Sequence, residues 1–465
     1  MLTSRMSVAK SISYMSVPIA VGVVIQSLYL TIDLFFVSHL GENAVAGVAS
    51  AGTVSLFSGM LGQLLGIGAV TLIAQALGAG NFSQARQIFS HAVWMAVFCS
   101  GAVVVFGYMG AAHTFSKLAS GEAAQQLSES YLNGYIPGVG MQIIITVTTF
   151  GLRAAGEPYG PLIAQCISVP INLVLTPVLI FGVPGVNGMG TFGAGMATTC
   201  ASVVAVMIIL CRAFARYKPF IMQCVAYRWE YSIARQIIMI GFPAGLESLV
   251  IYLYVVAMYW AAAKLGSPVQ AAFGISLLIV QALFNPCVSV AHGCVPVAAY
   301  YLGAGNLAKF RDTYIVALVL VVVVMVCLTI VSNLFGGSII SMFSTDHQVR
   351  DDALYVLMCL SFNFVVAGLS HVNTSILQAA RQTIWSLMAV STRLVIFVAP
   401  LYLLVAFDEV ALKSLCLLSN LAFLAQALIS SGAVYFSIRS LVSVGSVPEA
   451  TSSLGFDTLR VKKER

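Results

Sequence analysis

Leu77-Gly78-Ala79-Gly80-Asn81 and Leu302-Gly303-Ala304-Gly305-Asn306 are the same five residues, 225 positions apart. Glycine and asparagine closing an apolar run mark the stop of a helix, so one tight turn is written twice. The same offset carries Arg86 to Arg311, Pro18 to Pro243, Leu40-Gly41 to Leu265-Gly266, and Leu152 with Ala154-Ala155 to Leu377 with Ala379-Ala380. Separated anchors at a single offset read as an internal duplication.

Both copies are too apolar for water. Of 465 residues 60% are hydrophobic and 8% charged, against roughly 25% charged in a soluble domain. A bilayer crossing takes about 20 apolar residues, so the chain holds about a dozen. Apolar windows fall near 12–37, 44–76, 88–112, 130–152, 160–182, 190–214, 233–263, 270–300, 312–336, 353–380, 384–406 and 410–438. The first reads as a span and not a removed signal peptide, because no small-residue cleavage site follows it. The expected fold is therefore an all-α polytopic membrane protein. Its twelve helices form two six-helix lobes of like orientation, related by an axis along the membrane normal. The expected divisions are an N-lobe over 1–214, a cytoplasmic linker over 215–232, a C-lobe over 233–440 and a cytoplasmic tail over 441–465.

Charge orients the chain. With the N-terminus inside, seventeen of the 22 Lys and Arg fall on the inner side and four, Lys117, Lys264, Arg350 and Lys413, on the outer. This obeys the positive-inside rule and puts both termini in the cytoplasm. The net charge of +6 is thus a topology signal, and no nucleic-acid partner is implied. The ten cysteines form no C-x-x-C pair and read as small apolar residues, with no metal site. H-E-x-x-H, G-x-S-x-G and the P-loop are absent, so no enzyme, catalytic residue or cofactor is expected, and the chain alone cannot pump with ATP.

Only two carboxylates, Asp33 and Glu247, fall well inside the spans. A carboxylate at a helix centre costs about 3 kcal/mol on insertion scales, so it faces a cavity or a partner. Gln26, Tyr29 and Asp33 share one stripe of the first helix, and Asn172 and Thr176 share a face of the fifth between Pro170 and Pro177. Such oxygens suit a sodium ion, and equally suit a carboxyl that gains and loses a proton as its access to water changes. Glu247, four residues after Pro243, is a second coupling carboxylate, or else an interfacial residue paired with Arg235 or a charge at a helix N-terminus. His292 and His371 read as core histidines, and Arg393, a cation within a span, as a snorkelling side chain or one paired with a helix end.

Several stretches resemble the multidrug and toxic compound extrusion (MATE) transporters. They are Ile32-Asp33 with Val37-Ser38-His39-Leu40-Gly41, the turn at 74–81 and its copy at 302–306, Leu152-Arg153-Ala154-Ala155-Gly156-Glu157-Pro158, and Asn172 through Thr176-Pro177 to Ile180-Phe181. The likeness covers about residues 10–440 and is closest to the bacterial DNA-damage-inducible (DinF-like) branch. The resemblance implies an antiporter that exports cationic or amphipathic compounds against proton or sodium flow. It makes Asp33 the coupling carboxylate and Asn172 its partner, adds Tyr131 or Tyr135 and Thr198, and makes Pro18 a hinge. It puts Gln26 and Tyr29 in the cavity. Thr176 stands where relatives carry Asp or Asn, which weakens a sodium site. Ile251 stands where other branches carry a seventh-helix Glu, which disfavours C-lobe coupling of that kind.

The reading is an ion-coupled antiporter, proton favoured over sodium, working by alternating access as a monomer in the bacterial inner membrane. Asp33, Asn172, Thr176, Tyr131, Tyr135, Thr198 and Glu247 are its ion-coupling set. Gln26, Tyr29, Tyr254 and Met258 line its cleft. The rival is a flippase for a lipid-linked saccharide or other amphiphile, supported by Arg393.

Overall fold

The computed structural model describes residues 7–117, 119, 121–216, 229–344, 346–407 and 411–443, and only the backbone of residues 27–31, 111, 186 and 214–216. Most of the expected linker and tail, 217–228 and 444–465, lies outside the described residues.

The N-terminal half consists of α1 (Val8–Ser38), α2 (Glu42–Ala51), α3 (Thr53–Gly78), α4 (Phe82–Phe106), α5 (Ala112–Ser116), α6 (Glu122–Ala154), α7 (Tyr159–Phe181) and α8 (Gly190–Arg216). The C-terminal half consists of α9 (Tyr231–Lys264), α10 (Ser267–Gly303), α11 (Leu307–Ile340), α12 (His347–Ser361), α13 (Asn363–Ala379), α14 (Thr383–Ala406) and α15 (Leu412–Ser443). α2 and α3 together form one crossing, and α12 and α13 form another, bent by 44°. Counted so, the described residues hold twelve candidate spans, as the apolar windows predict. Finer breaks were not legible: a π-helical turn over Gly107–Ala111 with Gly110 at φ 134°, and a two-residue hairpin, Gly182–Val183 with Val186–Asn187, before α8.

The duplicated turn is the same structure twice. In the first copy the amide of Gly80 donates to Leu77 O and that of Asn81 to Ala76 O; in the second, Gly305 donates to Leu302 O and Asn306 to Tyr301 O. This is the left-handed helix stop that glycine favours, with Gly80 at φ 76° and Gly305 at 69°. The side chain of Asn81 then accepts from Gln84 N to start α4, and that of Asn306 accepts from Lys309 N to start α11. Five residues therefore end one helix and cap the next.

Among the described residues, the halves share a hydrophobic core at one end. On the side bearing the first and last described residues, a single core takes Ile12, Ile73, Phe89 and Phe150 from the N-terminal half and Ile237, Val297, Phe310 and Val372 from the other. At the opposite end each half keeps its own cluster, one around Val37, Tyr131 and Ile180, another around Met258, Phe273 and Phe397. Where the halves join, α3 crosses α9 with no room for side chains. A Cβ on Gly68 would strike Ile237 O, and one on Gly241 would strike Leu64 O. Polar bonds add to this closure: Thr71 Oγ1 donates to Gln378 O (3.1 Å), Gln75 Nε2 to Ala379 O (2.7 Å) and Arg381 Nε to Gln75 Oε1 (2.6 Å). The molecule is thus sealed at the end bearing its termini and divided at the other.

Candidate functional site

Asp33 sits near the far end of α1, where the two halves have parted, and is buried at 6% exposure. Thr198 Oγ1 of α8 donates to its Oδ2 (3.1 Å) and Thr176 Oγ1 of α7 to its Oδ1 (3.3 Å). Asn172, one turn before Thr176 and equally buried, reaches the same carboxyl. The local sequence explains the placement. Asn172 and Thr176 share a face of α7, and Thr198 rests its hydroxyl on Ala194 O (3.2 Å) one turn back in α8, which aims the side chain inward. Hydroxyl and amide donors are what a buried carboxylate requires, because the cost of leaving it unmet is high. No Lys or Arg forms an ion pair with Asp33 among the described residues. The site is a carboxyl held by neutral donors, suited to receive and release a cation.

Of the other residues singled out from sequence, Tyr135 lies close enough to feel the Asp33 charge, yet its hydroxyl bonds Ser55 Oγ at 2.8 Å. Tyr131 is buried with its ring 5.3 Å from that of Tyr135. Gln26 is exposed; the side chain of Tyr29 lies outside the described residues. Pro18 is buried inside α1, which runs through it without interruption.

The C-terminal half departs from expectation in three places. Tyr254 and Met258 do not line an open cleft: both are buried, at 4% and 2% exposure, in the apolar cluster of that half, and the Tyr254 hydroxyl bonds Ser419 Oγ at 2.8 Å. Glu247 does not join the Asp33 group and does not pair with Arg235. It is buried among donors from two other helices: Ser386 Oγ (3.2 Å), Thr374 Oγ1 (3.3 Å) and Gln378 Nε2 (3.5 Å). These partners lie well over a hundred residues away along the chain, and no local spacing announces them. Arg393 neither snorkels nor meets a helix end. Its guanidinium carbon lies 4.6 Å from the Tyr254 ring centroid and 4.7 Å from that of Phe423. His292 and His371 pack against Phe150 and Phe284. Among the described residues no group of three or more His, Cys, Asp and Glu is arranged for a metal.

Comparison with known proteins agrees with this architecture. Residues 18–178 and 243–403 each match the MatE family. Relatives include a protein of Shewanella oneidensis named FAD transporter, 24% identical over 392 residues, 83% of this chain and 86% of that one. A multidrug export protein MepA of Staphylococcus saprophyticus is 26% identical over 383 residues, 81% and 83% of the two chains. A probable multidrug resistance protein NorM of Bradyrhizobium diazoefficiens is 28% identical over 344 residues, 70% and 72%. Among solved structures, one described as the outward-facing conformation of a multidrug resistance MATE family transporter superposes with a TM-score of 0.86 at 20% identity, covering 94% of this chain and 98% of that one.

Proposed function

The chain belongs to the MatE family of membrane transporters, and from that premise we propose that it is an ion-coupled antiporter exporting cationic or amphipathic organic compounds. The observation that carries the reading is Asp33, a buried carboxyl held by Thr176, Thr198 and Asn172 at the end where the lobes part. An inward-moving ion loads this carboxyl, and its release accompanies exchange of the cleft between the two sides. The names of relatives, multidrug export protein and FAD transporter alike, support an organic cargo. We favour the proton over sodium, because the cage offers hydroxyl and amide groups and one carboxyl, where a sodium site would gain from a second. This matches the DinF-like resemblance. Moving one charge across 100 mV is worth about 2.3 kcal/mol, which sustains a gradient of tens of fold at about 1.4 kcal/mol per tenfold. Glu247 is proposed as a second carboxyl tied to the closure, since Gln378, which donates to it, also accepts from Thr71 across the lobes. The chain is proposed to act as a monomer in the bacterial inner membrane, with the lobes divided at 215–232 and both termini cytoplasmic.

The test is dye transport by the purified protein in liposomes under separate proton and sodium gradients, for wild type and Asp33→Asn. Proton-driven efflux that vanishes in Asp33→Asn is the expected result; sodium-driven efflux would reassign the ion. A mutant as active as wild type refutes the role of Asp33. A wild type that moves no dye under either gradient favours flipping of a lipid-linked amphiphile, the second reading, which the buried cation Arg393 supports.

A further inference from the structure

Glu247 reaches from α9 into the hairpin of α13 and α14. Thr374 and Gln378, one turn apart on α13, bond it from before the turn that joins those helices, and Ser386 of α14 bonds it from after that turn. The same turn makes the polar bonds between the halves. Gln378 O and Ala379 O accept from Thr71 and Gln75 of α3, and the Arg381 side chain donates back to Gln75. α3 in its turn crosses α9 at Gly68 and Gly241. Three elements, α9, the turn and α3, thus brace one another, and Glu247 supplies the side that joins α9 to the turn.

The charge of Glu247 sets the strength of that side. An ionised carboxyl only accepts, and three donors face it here; a protonated one carries a donor of its own. Ser386 Oγ has a second acceptor in Thr383 O at 2.8 Å and can turn to it. The Gln378 amide nitrogen cannot become an acceptor, and its bond to a neutral carboxyl is the weaker kind. Packing of the hairpin does not by itself require a carboxylate. At the offset of 225, Glu247, Thr374, Gln378 and Ser386 fall on Gly22, Thr149, Arg153 and Pro161, so the N-terminal copy places no acid at the corresponding position. The charge that reaches Glu247 is Arg393 of α14. Of the other titratable groups, His371 of α13 lies on Phe284 and His292 of α10 on Phe150, and α3 has none.

We propose that Glu247 is the positioning residue of the sealed end. Ionised, it pins the α13–α14 turn to α9 and holds that end shut; carrying a proton, it frees the turn, so the end opens only after the C-terminal half has been loaded. The inference rests on the antiporter reading and deepens it by assigning what loading of the second carboxyl does. The closure itself needs no gradient and no cargo, so it is measured apart from transport.

The experiment is alkylation, in neutral detergent, of Cys294, which is free and fully buried in the core shared by the halves. At neutral pH Cys294 is expected to react about tenfold faster in Glu247→Gln than in wild type, the factor appropriate to losing the charge assistance of one hydrogen bond. Cys416, in the separate cluster of the C-terminal half, should be unchanged. Thr374→Val with Ser386→Ala, which keeps the carboxylate and strips two of its donors, should give the same acceleration. Dividing the wild-type rate by the Glu247→Gln rate at each pH cancels the ionisation of the thiol. That quotient should rise towards unity as the pH is lowered, and should do so equally when both proteins also carry His371→Gln, His292→Gln or Asp33→Asn. A carboxylate with a merely structural role would leave the quotient flat. Labelling at the wild-type rate in Glu247→Gln and in the double variant, or a quotient that does not move with pH, overturns the proposal. A pH-dependent quotient in a protein that moves no dye in liposomes keeps this latch and loses the antiporter reading, and dye antiport with a flat quotient does the reverse.

Discussion

Adding one methyl group at Gly241 should open the sealed end of the molecule. The Cβ of an alanine there would overlap Leu64 O of α3, and the reciprocal alanine at Gly68 would overlap Ile237 O of α9. Both obstacles are helix backbone, which cannot rotate away, so α3 and α9 must separate. Overpacking of this kind costs about 1–3 kcal/mol, paid only by the state in which the helices touch. The gain of about 1 kcal/mol from replacing glycine inside a helix is common to both states and cancels. The closed population should therefore fall by roughly fivefold to a hundredfold relative to the open one. Native cysteines report this directly. Cys294 is free and fully buried in the core shared by the two halves, and Cys416 is free and buried in the separate cluster at the other end. Alkylation followed by peptide mass spectrometry should show Cys294 reacting faster by that factor in Gly241→Ala and Gly68→Ala, with Cys416 unchanged. Gly59→Ala, on the same α3 but with nothing within 4 Å of the new Cβ, should behave as wild type. Labelling of Cys294 in Gly241→Ala at the wild-type rate would refute the claim that this crossing closes the molecule.

Two further outcomes follow from individual contacts. Thr198→Val removes the shorter of the two hydroxyl bonds to Asp33; hydrogen bonds to charged groups are worth about 1.5–3 kcal/mol, so gradient-driven efflux should drop by an order of magnitude or more, and Thr198→Ser should restore it. Arg381 holds φ 61°, a conformation costing a side chain about 1 kcal/mol or more, so Arg381→Gly should melt above Arg381→Ala although both lose the Gln75 bond; equal melting would deny the strain.

The fold was legible because the signals that specify it are local and repeated. Apolar run length gave the spans, and Gly80 and Gly305 with the caps Asn81 and Asn306 gave the turns between them. Asp33 was legible from cost alone, and Thr176 from its spacing to Asn172. Thr198 came from resemblance, since nothing within α8 distinguishes it from Thr199, which turns instead to Gly134 O and Gly138 N. The partners of Glu247 and the aromatic corner around Arg393 were not legible. Each is assembled from helices distant along the chain, and a charged residue's cost says only that a partner exists. Tyr254 and Met258 misled because an aromatic and a flexible methionine in a transporter helix suit a cleft as well as they suit a core.

The duplication explains that last error and shows where the two halves have diverged. Carried by 225 positions, Asp33, Asn172, Thr176 and Thr198 fall on Met258, Phe397, Leu401 and Phe423. The first three are buried in one apolar cluster of the C-terminal half and Phe423 packs against it, so the counterparts meet in space as the originals do. One copy of the cluster is polar and the other is oil. Backbone features have been treated differently: Gly41 and Gly266 keep φ of 105° and 107°, and Gly80 and Gly305 keep theirs. The turn geometry is therefore needed in both halves, whereas a buried carboxylate, costing about 3 kcal/mol wherever it sits, is present at this position in one. The turn at Gly156 breaks the rule in an informative way. Its amide donates to Arg153 O, and the corresponding amide of Arg381 donates to Gln378 O in the same left-handed turn. Glycine would serve both places without strain. The C-terminal copy carries arginine, and its side chain reaches Gln75 of the opposite half. The strain at Arg381 is the local cost of a bond between the lobes, made at the end where the molecule is closed.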